Sequence, residues 1–383
     1  MKKLELNTII NLSNFEGKAL VSIYMPTYRA GIEVNQNRII LKNRLNEVED
    51  KLSSLGYTKR DVENLLKPAY RLVDETIFWQ YQEDGLAIFI SDDFFTYFTL
   101  PVKFKEMSIV SNRFYIRPLL KYFTQLSQFY VLTLSLEDVN LYEATPFEIN
   151  KIDSPQIDEI VKNFVPGNEL HQEATSPKGA ARGGFGGRLH SLHELSKTEK
   201  IEISNFLRNI DKEVCKLIDD TRKPLIIYSV EYIYSMYKEV SSYKNILDEY
   251  IKGSPMEVKE KEIHEKATVI NSKLIEKKIE EDKNKFLELK NANPQLVSED
   301  VKELVKLSFA GNIEILFVAE DYQLFGRFDE EKFEVEVTNE ETALNTDLFD
   351  FIALKTLFNG GKVYVLEKEN LPIEKPIVAI LRY

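Results

Sequence analysis

One cysteine, one tryptophan and four histidines stand in 383 residues. A single thiol, Cys215, closes no intrachain disulfide and fits a reducing compartment. It lies in EVCKLI on an expected helix, where a small buried hydrophobe is the reading favoured over a nucleophile. No apolar run approaches the ~18 residues of a membrane span. The opening MKKLELNTIINLSNFEGKALVSIYM lacks a continuous apolar core and a small-residue cleavage site, so no signal peptide is read. A cytoplasmic protein with no membrane partner is expected. Neither a P-loop nor a G-x-G-x-x-G turn occurs, which argues against a bound nucleotide. No cofactor is implied.

What is present is apolar and aromatic: hydrophobic residues make up 43%, with 23 Phe and 19 Tyr. That suffices for packed domains, and the length favours two or three. The formal charge of −12 argues against general adhesion to nucleic acid. It is uneven, however: net +2 over residues 1–123, −5 over 124–252 and −9 over 253–383. The expected domains take the same limits.

Five of the fifteen glycines fall between Gly179 and Gly187, in KGAARGGFGGR. Such a stretch cannot build a core, and glycine loses the most backbone entropy on ordering. Between Ala174 and His193 there are three basic residues and no acidic one. Bare N–H groups with Lys178, Arg182 and Arg188 suit a phosphate-rich partner. A solvated loop is the plain alternative. Phe185, between Gly183-Gly184 and Gly186-Gly187, is an aromatic on a tether, able to stack on a base or to fold back onto its own domain. His190 and His193 are candidate general bases. Their spacing matches neither H-E-x-x-H nor H-x-x-E-H, so no metal is expected. A second basic stretch holds Lys103, Lys105, Arg113, Arg117 and Lys121 among Phe104, Phe114, Tyr115, Tyr122 and Phe123. Its aromatics read as a strand packed in a core, and its charges as solvent-facing candidates for RNA. Tyr28 and Arg29 are either a contacting tip or a polar turn.

Short apolar and aromatic runs give strands at Ala19–Met25, Leu86–Ile90 and Phe94–Leu100; a helical period gives a helix over 35–55, and a second helix is expected over 59–78. A strand pair is expected at 129–136 and 140–144, then a capped helix from Ser196, a buried strand at 224–230 and a helix to Val240. Gly253-Ser254-Pro255 marks a boundary before a long charged helix, 256–291. A second small α/β sandwich closes the chain. The fold class is therefore α/β (α+β) and multidomain.

SEDVKELVKLSFAGNIEILFVAED (298–321), DLFDFIALKTLFNGGKVYVLEKE (347–369) and the closing VAILRY (378–383) resemble the C-terminal domain of archaeal and eukaryotic peptide-chain release factors and of Pelota. With VSIYMPTYRAG (21–31) and FWQYQEDGLAIFIS (78–91), the chain resembles the bacterial archaeo-eukaryotic release-factor-like family. The resemblance implies an N-terminal mixed α/β domain, an RNase H-like middle domain and a C-terminal α/β/α domain, together entering the ribosomal A site. It implies a Gly-Gly-Gln loop on the middle domain that reaches the peptidyl ester of the P-site tRNA. It also implies a translational GTPase docked on the C-terminal domain. Here Gly183 and Gly184 fill the glycine positions, and Phe185 stands where the glutamine would be. Phenylalanine has no polar group to hold a water. Stop-codon-reading motifs are not matched.

Three readings follow. The first is a ribosome-binding factor for rescue or hibernation, contacting rRNA and tRNA without Gly-Gly-Gln-type hydrolysis. The second is a peptidyl-tRNA hydrolase or RNA-cleaving factor using the loop. The third is a protein-interaction module with an acidic last third.

Overall fold

The computed structural model describes residues 4, 6–31, 33–125, 127–164, 196–338, 342 and 345–383. The chain divides into two compact units, one built from residues 1–125 and 278–383, the other from 126–277.

The first unit begins with α1 (Leu6–Ser13), β1 (Leu20–Pro26), α2 (Val34–Ser54), α3 (Lys59–Asp74), α4 (Thr76–Gln80), β2 (Gly85–Ser91), β3 (Phe94–Leu100), β4 (Met107–Ser111) and α5 (Arg117–Gln125). The strands form an antiparallel sheet ordered β3-β2-β1-β4. Strand alternation explains its two buried faces. Val21, Ile23, Met25, Leu86, Ile88 and Ile90 meet Leu41, Leu45, Val48 and Leu52 of α2 and Val62, Leu66 and Ala69 of α3. Leu20, Tyr24, Ala87, Phe89, Phe98 and Leu100 face the other way. Gly56, with φ +88°, follows the end of α2. Thr58 and Asp61 close a capping box at the start of α3. The single helix expected over 59–78 breaks at Glu75, which takes an extended conformation.

The second unit comprises β5 (Phe129–Leu134), β6 (Val139–Ala144), β7 (Ile149–Ile152), α6 (Pro155–Asn163), α7 (Lys197–Leu217), β8 (Leu225–Ser229), α8 (Glu231–Val240), β9 (Ile251–Lys252) and the first half of α9 (Glu260–Ala292). Its sheet is ordered β7-β6-β5-β8-β9, with β6 antiparallel and β8 parallel to β5. That is the 3-2-1-4-5 order of an RNase H-like sheet. Tyr130, Leu132 and Leu134 bury against α6, α7 and α8. Phe129 and Val131, on the opposite face, meet Ile263, Ala267 and Ile270 of α9. The long helix starts four residues later than its charge pattern predicts, after Glu257 turns with φ +62°.

The first unit resumes with β10 (Val297–Ser298), α10 (Val301–Phe309), β11 (Ile313–Ala319), β12 (Phe325–Asp329), β13 (Glu334–Thr338), β14 (Thr346–Asp347), α11 (Leu348–Phe358), β15 (Lys362–Leu366) and β16 (Ile377–Leu381). One mixed sheet runs β10-β16-β11-β15, beside a small sheet β13-β12-β14. Leu316, Val318, Val363 and Ala379 pack toward α10 and α11, and Ile315, Phe317 and Val378 toward Phe286 of α9. Helices on both faces make this the expected α/β/α layer. The core that holds Phe98, Phe114 and Leu119 continues without a break into Leu304, Phe349 and Ile352.

No helix among the described residues is long and apolar enough to cross a membrane.

Candidate nucleic-acid interface

In the RNase H-like unit the glycine-rich segment lies between α6 and α7 in the chain. Ser154 caps α6 by accepting from the N–H of Ile157. Ser196 and Glu199 form the capping box expected for α7: the Ser196 N–H donates to Glu199 Oε2 at 2.8 Å, and the Glu199 N–H donates to Ser196 Oγ at 3.2 Å. Hydrogen bonds to Ser196 also hold the Glu199 carboxyl below its usual range. Phe164, just after α6, stacks on Phe206 of α7 with ring centroids 4.3 Å apart. The two helices thus hold the last residue before the segment and the first turn after it. Lys178, Arg182, Gly183, Gly184, Phe185, Gly186, Gly187, Arg188, His190 and His193 lie outside the described residues.

The central strands of this unit have a definite chemistry. FYVLTL of β5 and LIIYS of β8 carry no carboxylate. Among the described residues no group of three or more His, Cys, Asp or Glu is placed to hold a metal ion. His264, the one described histidine, has Nε2 2.8 Å from the Thr145 carbonyl. Cys215 is half-buried, with Sγ 3.4 Å from Ser242 Oγ. Burial pushes its thiol up, away from the thiolate a nucleophile needs.

The second basic stretch is not the aromatic strand that its alternation predicts. Met107–Ser111 is β4, and after a turn the chain enters α5 at Arg117. Its cations meet different fates. Lys105 pairs with Asp321, which raises the lysine. Lys121 pairs with Glu320 at 2.5 Å. Arg113 pairs with Glu16 and lies over the Phe351 ring. Lys103 is exposed. Lys103, Lys105, Arg117 and Lys121 border one small cleft with Glu320 and Asp321.

Arg117 corrects the expectation that all five charges face solvent. It is 1% exposed. Its Nη2 donates to Tyr115 Oη at 2.7 Å, to the Tyr322 carbonyl at 2.6 Å and to Asp347 Oδ2 at 3.3 Å. The guanidinium also lies over the Tyr115 and Phe349 rings. Burial would lower it, yet Tyr115, Asp347 and Asp350 more than offset this and hold it charged. Beside it, Asp350 accepts from the N–H groups of Ile116 and Arg117 at 3.0 and 2.5 Å. Burial, then the Asp347 charge, pushes the Asp350 carboxyl up to about 7. Asp347, which also caps α11, is raised by burial too. Sequence reasoning missed this cluster, although a lone arginine in the apolar run FYIRPLL was its signal: a charge there needs a buried partner.

Tyr28 and Arg29 form a pinned turn. Arg29 grips Asp84 through Nε and Nη2, each at 2.8 Å, and the Tyr28 N–H donates to Asn37 Oδ1.

No curated protein matches the chain. Among solved structures, the crystal structure of the archaeal translation termination factor aRF1 is 13% identical, covers 98% of this chain and 96% of its own, and has a TM-score of 0.24. Archaeal Pelota, from a model of its ribosome-bound form with ABCE1, is 13% identical over 75% of this chain and 72% of its own, with a TM-score of 0.39. S. cerevisiae Dom34, described as a translation termination-like factor interacting with Hbs1, is 12% identical over 78% and 79%, with a TM-score of 0.36. Scores this low carry no argument about this chain. Residues 129–273, which span the RNase H-like sheet, its glycine-rich segment and the first turns of α9, match the model of bacterial archaeo-eukaryotic release factor family 7, the release-factor-like resemblance read from the sequence.

Proposed function

We propose that this protein is a ribosome-associated translation factor that occupies the A site of stalled or idle ribosomes, and that it binds there without Gly-Gly-Gln-type hydrolysis. The observation that carries this reading is the family match over residues 129–273, because it falls on the unit that bears the glycine-rich basic segment. That segment supplies Lys178, Arg182 and Arg188 for phosphate, and Phe185 for stacking on a base. Phe185 in the glutamine position removes the group that would orient a water, which favours binding over ester cleavage. The expected partners are rRNA, the P-site tRNA and a translational GTPase that docks on the last third of the chain.

RNA cleavage by a two-metal route needs carboxylates clustered to clamp the ions. The bare central strands β5 and β8 give that route no support.

The test is co-sedimentation with vacant ribosomes and with ribosomes carrying peptidyl-tRNA, while following peptide release in the same tubes. Binding without release is the expected result. Release that is lost in His190→Ala would replace the proposal with a hydrolase. Absence from both ribosome fractions would overturn it.

A further inference from the structure

The small cleft of the first unit lies between residues 102–107, the first turn of α5 and Glu320-Asp321, just after β11. One wall is fixed by close approach: a Cβ added at Gly85 of β2 would collide with the Val102 carbonyl and the Phe104 ring. Four cations and two acids line the cleft. Lys105 and Lys121 are held there by Asp321 and Glu320. Lys103 is exposed and, among the described residues, forms no ion pair.

Arg117 is the buried one of the four cations. Its Nη2 has three acceptors, but Nε and Nη1 are buried without a hydrogen-bond partner. Buried donors are seldom left without an acceptor, because each carries its full desolvation cost. Asp347 sits on the Nη2 side and does not serve them. Main-chain donors are not what the cleft offers. In the first turn of α5 the Arg117 N–H goes to Asp350, Pro118 has none, and those of Leu119 and Leu120 go to the Ile116 carbonyl.

We propose that this cleft is a receptor for a single phosphate group, either the free ion or the terminal phosphate of a nucleotide, which gives acceptors to Nε and Nη1 of Arg117 and pairs with Lys103 at the rim. Size sets the first limit. A volume of about 50 Å³ is room for a few water molecules, so a head group fits and a nucleoside does not. Charge sets the second. A carboxylate would bring no more than Asp321 and Glu320 already offer the two held lysines. A phosphate brings about 1.5 to 2 negative charges near pH 7, with several acceptor oxygens, and so draws Lys105 and Lys121 from their acids. A planar guanidinium with flexible ammonium groups is a donor set suited to phosphate. Binding here needs neither the glycine-rich segment nor a ribosome.

The experiment is calorimetric titration of the full chain with inorganic phosphate, with adenosine 5′-monophosphate and with adenosine, each against potassium chloride at equal ionic strength. Saturable binding of phosphate, of the monophosphate or of both, with none of adenosine, is the expected result; which of the two binds tighter distinguishes a free ion from a terminal group. Lys103→Ala weakens binding several-fold. Glu320→Gln with Asp321→Asn tightens it several-fold, because the lysines are released. Glu330→Gln with Glu331→Gln makes the same charge change in another cavity of the unit and leaves binding unchanged. In nitrogen-15 spectra the Arg117 Nε–H signal moves with the same midpoint as the heat, which tests the arginine without replacing it. No saturable response beyond that of chloride overturns the proposal. So does binding that Lys103→Ala and the Glu320, Asp321 pair leave untouched, or that leaves the Arg117 signal where it was. An RNA oligonucleotide without a terminal phosphate that competes as well as the monophosphate also overturns it, in favour of a backbone contact.

Discussion

The guanidinium of Arg117 lies 3.3 Å from the carboxylate of Asp347, with the two side chains 1% and 2% exposed and 230 residues apart in the chain. A charge pair this deep is weak evidence of net stabilisation, because desolvation offsets most of the attraction. Removing one partner is another matter, since it strands the other charge.

Arg117→Met is therefore expected to destabilise the protein by about 3–5 kcal/mol. Arg117→Met combined with Asp347→Asn should recover part of that loss. Denaturant unfolding of the parent, of Arg117→Met, of Asp347→Asn and of the double variant measures the coupling. A loss in the double variant equal to the sum of the two single losses would mean that the pair does not act as a pair.

Asp350 makes stability depend on pH. Its folded value of about 7 lies above the ordinary 3.8, so between those values the folded protein keeps a proton that the unfolded chain gives up. The associated stability is fully present below the ordinary value and is lost as the pH rises toward 7. Asp350→Asn keeps an acceptor for the N–H groups of Ile116 and Arg117 and cannot ionise. Its melting temperature relative to the unsubstituted protein should rise from acid to mildly alkaline pH. A difference that stays flat across that range would show that Asp350 does not titrate there.

If the glycine-rich segment touches phosphate, its two arginines set the salt response. Arg182→Ala with Arg188→Ala should weaken ribosome co-sedimentation and make the salt slope shallower by about 0.7–0.9 for each phosphate that is no longer neutralised. Weaker binding at an unchanged slope would mean that other residues meet the phosphates.

Ser196→Ala removes one half of the α7 capping box. A loss of about 1 kcal/mol is expected, with faster hydrogen exchange confined to the first turn of α7. Uniform loosening of the whole unit would show that this cap organises more than its own helix.

The sequence was most readable where its signals are local. Ser196 with Glu199, the turn at Asp92-Asp93, and the apolar runs of β1 and β5 each depend on residues a few positions apart, and the structure has those elements close to where they were expected. It was least readable where the deciding partner is distant. The aromatics around Arg117 read as a strand until Asp347 and Asp350 arrive to bury its charge. The edge strand β7 and the short α6 also passed unnoticed, being brief and without a strong period. At the candidate interface, composition pointed to Lys178, Arg182 and Arg188, while Lys105, Arg113 and Lys121 turned out to hold acidic partners that only folding supplies.

The shared core of the first unit also has a history in time. Ser111 Oγ donates to the Asn345 carbonyl, an internal bond whose partners are 234 residues apart. During synthesis the opening segment can close α2 and α3 over one face of its sheet at once. The other face, with Phe98, Leu100, Phe114 and Leu119, must wait for Leu304, Phe349 and Ile352. At roughly 5–20 residues per second that delay lasts on the order of tens of seconds. The RNase H-like unit is completed within it, so the middle of the chain can fold while a nascent half-core remains open on the segment before it.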